Sequence, residues 1–189
     1  MKKLGLFFLI LGAVFIGNFF YEYQSATSGV MKINDERETP SQELDRNHLE
    51  PGEEIAVLKI PVLDKQYLTY WGTENDALDQ GVGMHESEWT GPPDEERHTL
   101  LSGHRDTVFR ELGDLQEGDK MIVDYNGISY TYMISDIWIT SAEDTSVVVD
   151  KDQATLTLST CYPFYLLGAA PDRYIIEAEL THTKEIGKG

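Results

Sequence analysis

Asn126-Gly127 sits between two runs rich in β-branched and aromatic residues, 120–124 and 128–139. Asn-Gly readily takes the positive φ that both centres of a type I′ turn require, and that turn matches the twist of paired strands. The stretch therefore predicts a β-hairpin, and a hairpin needs further strands before it can bury an apolar face. The rest of the chain offers them. Residues 55–60 form a compact apolar run stopped by Pro61, 66–71 a second, 81–85 a brief third, and 99–103 a fourth ending at His104. Residues 155–161 and 173–181 complete the set. Helix signals are sparse. Thr73, followed by Glu74 and Asp76, reads as the N-cap of a short helix through Leu78 that ends near Gly81. Residues 108–115 suit a turn of helix, 87–97 with Gly91-Pro92-Pro93 a loop, and 141–149 another loop. Seven or eight short strands predict a closed or nearly closed β-barrel, because closure leaves no exposed sheet edge.

The amino terminus is of another kind. After Met1-Lys2-Lys3 comes an uncharged run, 4–20, in which only Asn18 is strongly polar. As a helix it would rise about 26 Å, close to the roughly 30 Å hydrocarbon core of a bilayer. Lysines before it and acids after it, Glu22 first, predict a membrane anchor with a cytoplasmic amino end and the remainder outside. A cleaved signal peptide is the alternative, with Ala26-Thr27-Ser28 as a small-residue site, but its apolar region would exceed the usual length. Residues 22–53 have little apolar periodicity, many acids, and breaks at Pro40 and Pro51-Gly52. They read as an extracellular stalk, with room for a short amphipathic helix over 41–48. The division expected is an anchor over 1–21, the stalk over 22–53, the β-barrel over 54–182 and a tail over 183–189.

Composition removes several function classes. A net charge of −18 opposes nucleic acid, whose phosphates demand a basic face. One cysteine excludes an internal disulfide. His48, His85, His98, His104 and His182 stand too far apart in sequence for a zinc motif. Neither a metal nor a cofactor is expected.

The single cysteine closes a strand. In 155–161, Leu156 and Leu158 share one face while Thr155, Thr157, Ser159 and Cys161 share the other. Tyr162-Pro163 follows at once, which sets the thiol at a strand end, at the mouth of a loop. In the last strand Arg173 stands on the face opposite Tyr174, Ile176, Ala178 and Leu180. If the two strands pair antiparallel, Cys161 and Arg173 lie at the same end of the sheet. A guanidinium there would favour a thiolate and stabilise an oxyanion, unless it simply pairs with Asp172 or Glu177. His104, after Gly103 at another strand end, could serve as general acid or base to a thiol.

Thr157-Leu158-Ser159-Thr160-Cys161 resembles the T-L-x-T-C signature of the sortases, and Leu101-Ser102-Gly103-His104 resembles their histidine strand. Arg173 falls where that family has its arginine. The stretches 160–164 and 168–174 look most like class D, the type of bacilli and clostridia. No long insertion precedes His104, unlike a pilin polymerase with its lid. The resemblance implies a mostly β, eight-stranded barrel with short helices behind an N-terminal transmembrane helix. It implies a transpeptidase in which Cys161 attacks the threonyl carbonyl of an LPxTx-type sorting signal, Arg173 holds the oxyanion and His104 protonates the departing amine. An amine of a peptidoglycan precursor would resolve the thioacyl enzyme at the Gram-positive cell envelope, and surface proteins would be the clients.

The same resemblance implies that Thr160 lines the groove, with walls from 141–154 and 162–172. Tyr162, Phe164, Tyr165 and Leu166 are offered to the apolar residues of the signal, or pack their own loop. Some relatives bind calcium near the groove through acids, and Glu143 and Asp144 stand in the equivalent loop. Two alternatives stay open: a cysteine hydrolase, in which water resolves the same acyl-enzyme, and a non-catalytic anchored module with a structural Cys161.

Overall fold

A computed structural model describes residues 2–27, 29–33, 44, 48–165 and 168–186. In chain order the elements are α1 (Lys2–Thr27), β1 (Val30–Lys32), β2 (Glu54–Ile60), β3 (Lys65–Trp71), α2 (Asn75–Leu78), β4 (Val82–His85) and β5 (His98–Ser102). There follow β6 (Lys120–Tyr125), β7 (Ile128–Ser141), β8 (Thr155–Tyr162) and β9 (Asp172–Glu185). The β6–β7 hairpin forms around Asn126 at φ 50° and Gly127 at φ 78°, the two positive angles that a type I′ turn requires.

The strands hydrogen-bond in the order β3-β2-β6-β7-β9-β8-β5-β4, and β4 returns to β3 to close an eight-stranded barrel. Two parallel pairs, β3 with β4 and β5 with β8, make the closure; the other pairs are antiparallel. Inward residues fill the barrel: Leu58, Tyr67, Leu101, Phe109, Met121, Tyr125, Tyr132, Leu156, Leu158 and Ile176 are all buried in one cluster. Burial of each aliphatic side chain contributes about 1.5–3 kcal/mol, which is why the period of two selects this register.

A ninth strand is added. The amino-terminal half of β3 takes β1 along the edge whose other half takes β4, with Val30 opposite Tyr67 and Thr69 opposite Val82. The Leu68 amide donates to the Gly29 carbonyl at 2.9 Å and seals the junction. Met31 packs on a second, outer cluster of Val57, Leu68, Tyr70 and Ala77. Part of the expected stalk is therefore built into the fold. Leu44 and Leu49 also pack against the main core, and the Leu44 amide donates to Asn126 Oδ1 at 3.4 Å. Most of the helix expected over 41–48 lies outside the described residues.

Three features differ from expectation. The N-cap of α2 is Glu74 rather than Thr73, and no side chain caps it. β9 runs on to Glu185, past the expected domain end at 182, because β7 is long enough to pair with it throughout. The third difference concerns the polar face of β8. Ser141 at the end of β7 lies opposite Asp172, whereas Thr155 at the start of β8 lies opposite Glu179. The connection 142–154 must therefore travel back along the outside of the barrel. Beneath it the outward residues His98, Thr157 and Ile175 are buried, so β8 is covered on both faces rather than half-buried.

The α1 helix has another environment. Leu6, Phe7, Leu9, Phe15, Phe19 and Phe20 are all largely exposed along it. Among the described residues no helix is long and apolar enough to cross a membrane. The expected transmembrane span is thus not established by the fold.

Candidate active site

Cys161 and Arg173 are direct partners across the β8–β9 ladder. Opposite residues of an antiparallel pair point to one face with Cβ atoms about 4.5–5.5 Å apart. On the other side of β8, β5 runs parallel with Thr99 opposite Leu156, Leu101 opposite Leu158 and Ser102 opposite Ser159. The Gly103 amide continues that ladder to the Ser159 carbonyl at 3.2 Å. Cys161 and Arg173 thus stand side by side on the outer face at one end of the barrel, and His104 lies two residues past the end of β5, the strand on the other side of β8.

Each of the three positions has a local cause. The thiol is free and half-buried. The chain leaves β8 immediately after it through a cis Tyr162–Pro163 bond. Arg173 donates through Nη1 to the Asp172 carbonyl at 3.0 Å. Among the described residues it forms no ion pair with Asp172 or Glu177; Glu177 instead binds Lys151 at 2.6 Å. The guanidinium keeps further donors for a ligand.

His104 stands on a fixed turn. Its carbonyl accepts from the Phe109 amide at 3.0 Å. A Cβ at Gly103 would lie 2.7 Å from both the Phe109 ring and Val108, so only glycine admits this packing. The Thr160 hydroxyl donates to the Gly103 carbonyl at 2.7 Å. Thr160 is 3% exposed, so its side chain supports the histidine turn from below instead of forming open wall. The His104 imidazole is 42% exposed, with Nε2 3.6 Å from Asp79 Oδ1.

Sequence reasoning passed over two residues here, Asp79 and Arg105. Arg105 is buried and donates through Nη2 to the Gly168 carbonyl at 2.6 Å, tying the histidine turn to the loop after the cysteine. Its place beside His104 was the one available signal. In that loop Tyr162 stacks on Tyr174 at 6.0 Å and Phe164 meets Tyr174 edge-on at 5.2 Å, so these aromatics pack the barrel end. Tyr165 is 87% exposed, and Leu166 lies outside the described residues.

In the 142–154 connection, Asp144 accepts from the Ser146 side chain, from the Thr140 hydroxyl and from the Ser146 amide at 2.9 Å, bonds that hold its carboxyl below the usual range. Its oxygens are used on its own turn. Among the described residues no cluster of three or more His, Cys, Asp or Glu side chains could hold a metal ion.

Beneath the same connection, His98 Nδ1 donates to the Val149 carbonyl at 2.7 Å and Nε2 accepts from the Thr157 hydroxyl at 2.8 Å. Burial lowers the pKa of this ring. His98 is thus a structural pin, distinct from His104.

Comparison with known proteins bears on the family and the fold. The sortase domain family matches residues 58–181. The chain is 39% identical to Sortase D of Bacillus subtilis (strain 168) over 128 residues, covering 67% of this chain and 64% of that protein, less than two thirds of its length. Among solved structures, the catalytic domain of B. anthracis SrtD is 48% identical with a TM-score of 0.65, covering 77% of this chain and 99% of that one. A Clostridium perfringens Sortase D5 transpeptidase is 29% identical with a TM-score of 0.64, covering 72% and 84%. An eight-stranded barrel, a cysteine–arginine pair across β8 and β9, and these similarities lead to one conclusion: the chain belongs to the sortase family, with class D as its subclass.

Proposed function

We propose that the protein is a membrane-anchored cysteine transpeptidase that cleaves an LPxTx-type sorting signal after its threonine. The observation that supports this most is the pairing of Cys161 with Arg173 across β8 and β9, with His104 two residues beyond β5 on the other side of β8. The Cys161 thiolate adds to the threonyl carbonyl carbon, and the carbonyl π electrons move to oxygen. Arg173 donates to that oxyanion, whose charge exists only around the transition state. As the carbonyl re-forms, the C–N bond breaks and His104 gives its proton to the departing amine. The thioester then meets an acceptor amine, for which a peptidoglycan precursor is the proposed source. That amine attacks the same carbon, His104 takes its proton, and the C–S bond breaks to free the cysteine.

Thr160 serves this site through the Gly103 carbonyl, which sets the backbone that carries His104. The exposed apolar side chains of α1 and the two lysines ahead of them support an anchor, with the barrel on the outer face of a Gram-positive cell membrane. Surface proteins bearing the signal are the proposed clients.

Intact mass and product analysis with LPxTx peptides test the reading. The expected result is a thioacyl adduct that an added diamino acid converts to ligated peptide. An adduct released only by water, with the amine present, would make the protein a hydrolase.

A further inference from the structure

We infer that Asp79 is a positioning residue for His104, an inference that rests on the proposed role of that histidine. Gly83 lies opposite Ser102 across the antiparallel β4–β5 pair. The residues entering β4 therefore stand beside those leaving β5, and this brings Asp79 Oδ1 to 3.6 Å from His104 Nε2. The backbone that carries Asp79 is held on several sides. Asp79 is the C-cap of α2, and its amide donates to the Asn75 carbonyl at 2.8 Å. Ala77, in the same turn, is fully buried. A Cβ at Gly81 would lie 2.6 Å from the Leu68 carbonyl oxygen, and one at Gly29 would lie 2.4 Å from the Gln80 carbonyl oxygen. The segment leading into β1 thus presses on the very loop that aims Asp79.

Asp79 Oδ1 faces His104 Nε2 across 3.6 Å, the separation of an ion pair rather than of a hydrogen bond. The carboxylate thus stands beside the positive charge that the ring carries when protonated. Both side chains are well exposed, at 42% and 73%, so the pair is a modest device and is screened by salt.

The test uses the full chain in detergent micelles, with single-turnover acylation by an LPxTx peptide followed by intact mass. At about 50 mM salt, Asp79→Asn should slow acylation about two- to fivefold, the range of an exposed ion pair. Asp79→Glu should restore most of the rate, and the wild-type advantage should vanish near 1 M salt, where the Debye length is about 3 Å. A wild-type rate for Asp79→Asn at low salt, or a deficit that neither salt nor glutamate alters, would overturn the positioning role. His104→Ala separates the two levels of the argument: if it acylates as fast as wild type, the proposed role of His104 fails, not merely that of Asp79.

Discussion

At the scale of single residues, the site depends on small groups set behind the reactive ones. Thr160 is buried, and its hydroxyl meets a buried carbonyl one residue before His104. Thr160→Val keeps shape but leaves that carbonyl unsatisfied, which costs about 1–3 kcal/mol. It also loosens the turn that carries the histidine. We expect lower thermal stability and a fall in kcat larger than any change in KM, with Thr160→Ser close to wild type in both. A variant that lowers neither stability nor kcat would show that the Thr160–Gly103 bond does not position the site. Cys161 and Arg173 were legible from sequence because strand parity and the length of the connection determine their relation. Thr160, which the resemblance implied as groove lining, shares the leucine parity of β8 and is buried, and its partner on the histidine turn is not written in the strand pattern.

At the scale of elements, the 142–154 connection shows what a periodic pattern leaves out. Alternation in β8 reports which residues share a face, but not what later covers that face. The cover comes from a segment with no regular pattern of its own, held by His98 to Val149 and by Lys151 to Glu177. This gives stability a pH dependence. Burial is the main cause that lowers the His98 pKa; Lys151 and the nearby His85 lower it further, while the Val149 carbonyl and Glu177 oppose them. A ring whose folded pKa lies below its unfolded value of 6.5 takes up protons in the unfolded chain first. Its contribution is complete above pH 6.5 and is lost as pH falls toward the folded pKa. His85, also lowered by burial, acts in the same direction. Thermal melts should therefore show stability declining below about pH 6.5, and the decline should be shallower in His98→Gln despite its lower starting stability. An unchanged slope in that variant would remove His98 as a source of the effect.

At the scale of the whole molecule, the barrel was readable from sequence because nearly every strand announces itself by alternation and turn residues. The ninth strand was not. Val30-Met31-Lys32 is too short to carry a pattern, and its pairing is determined by a β3 edge more than thirty residues away. What looked like a stalk thus begins the fold immediately after α1. Removing residues 1–33 strips β1 from the outer cluster and opens half of the β3 edge. The lost bonds, Leu68 to the Gly29 carbonyl and Gln66 Nε2 to the Lys32 carbonyl, contribute about 0.5–1.5 kcal/mol each. A barrel that begins at residue 34 should melt several degrees, about 3–8 °C, below one that begins at residue 29. Equal melting temperatures would mean that β1 adds nothing to the barrel.

Intact mass after mixing with LPxTx peptides tests whether Cys161 is a nucleophile served by Arg173. An acyl adduct should form on Cys161 and be absent in Cys161→Ala. It should form about 10²–10³-fold more slowly in Arg173→Ala, the cost of losing one oxyanion donor. A folded protein that forms no adduct with any such peptide, or an Arg173→Ala variant that acylates at the wild-type rate, would contradict that assignment.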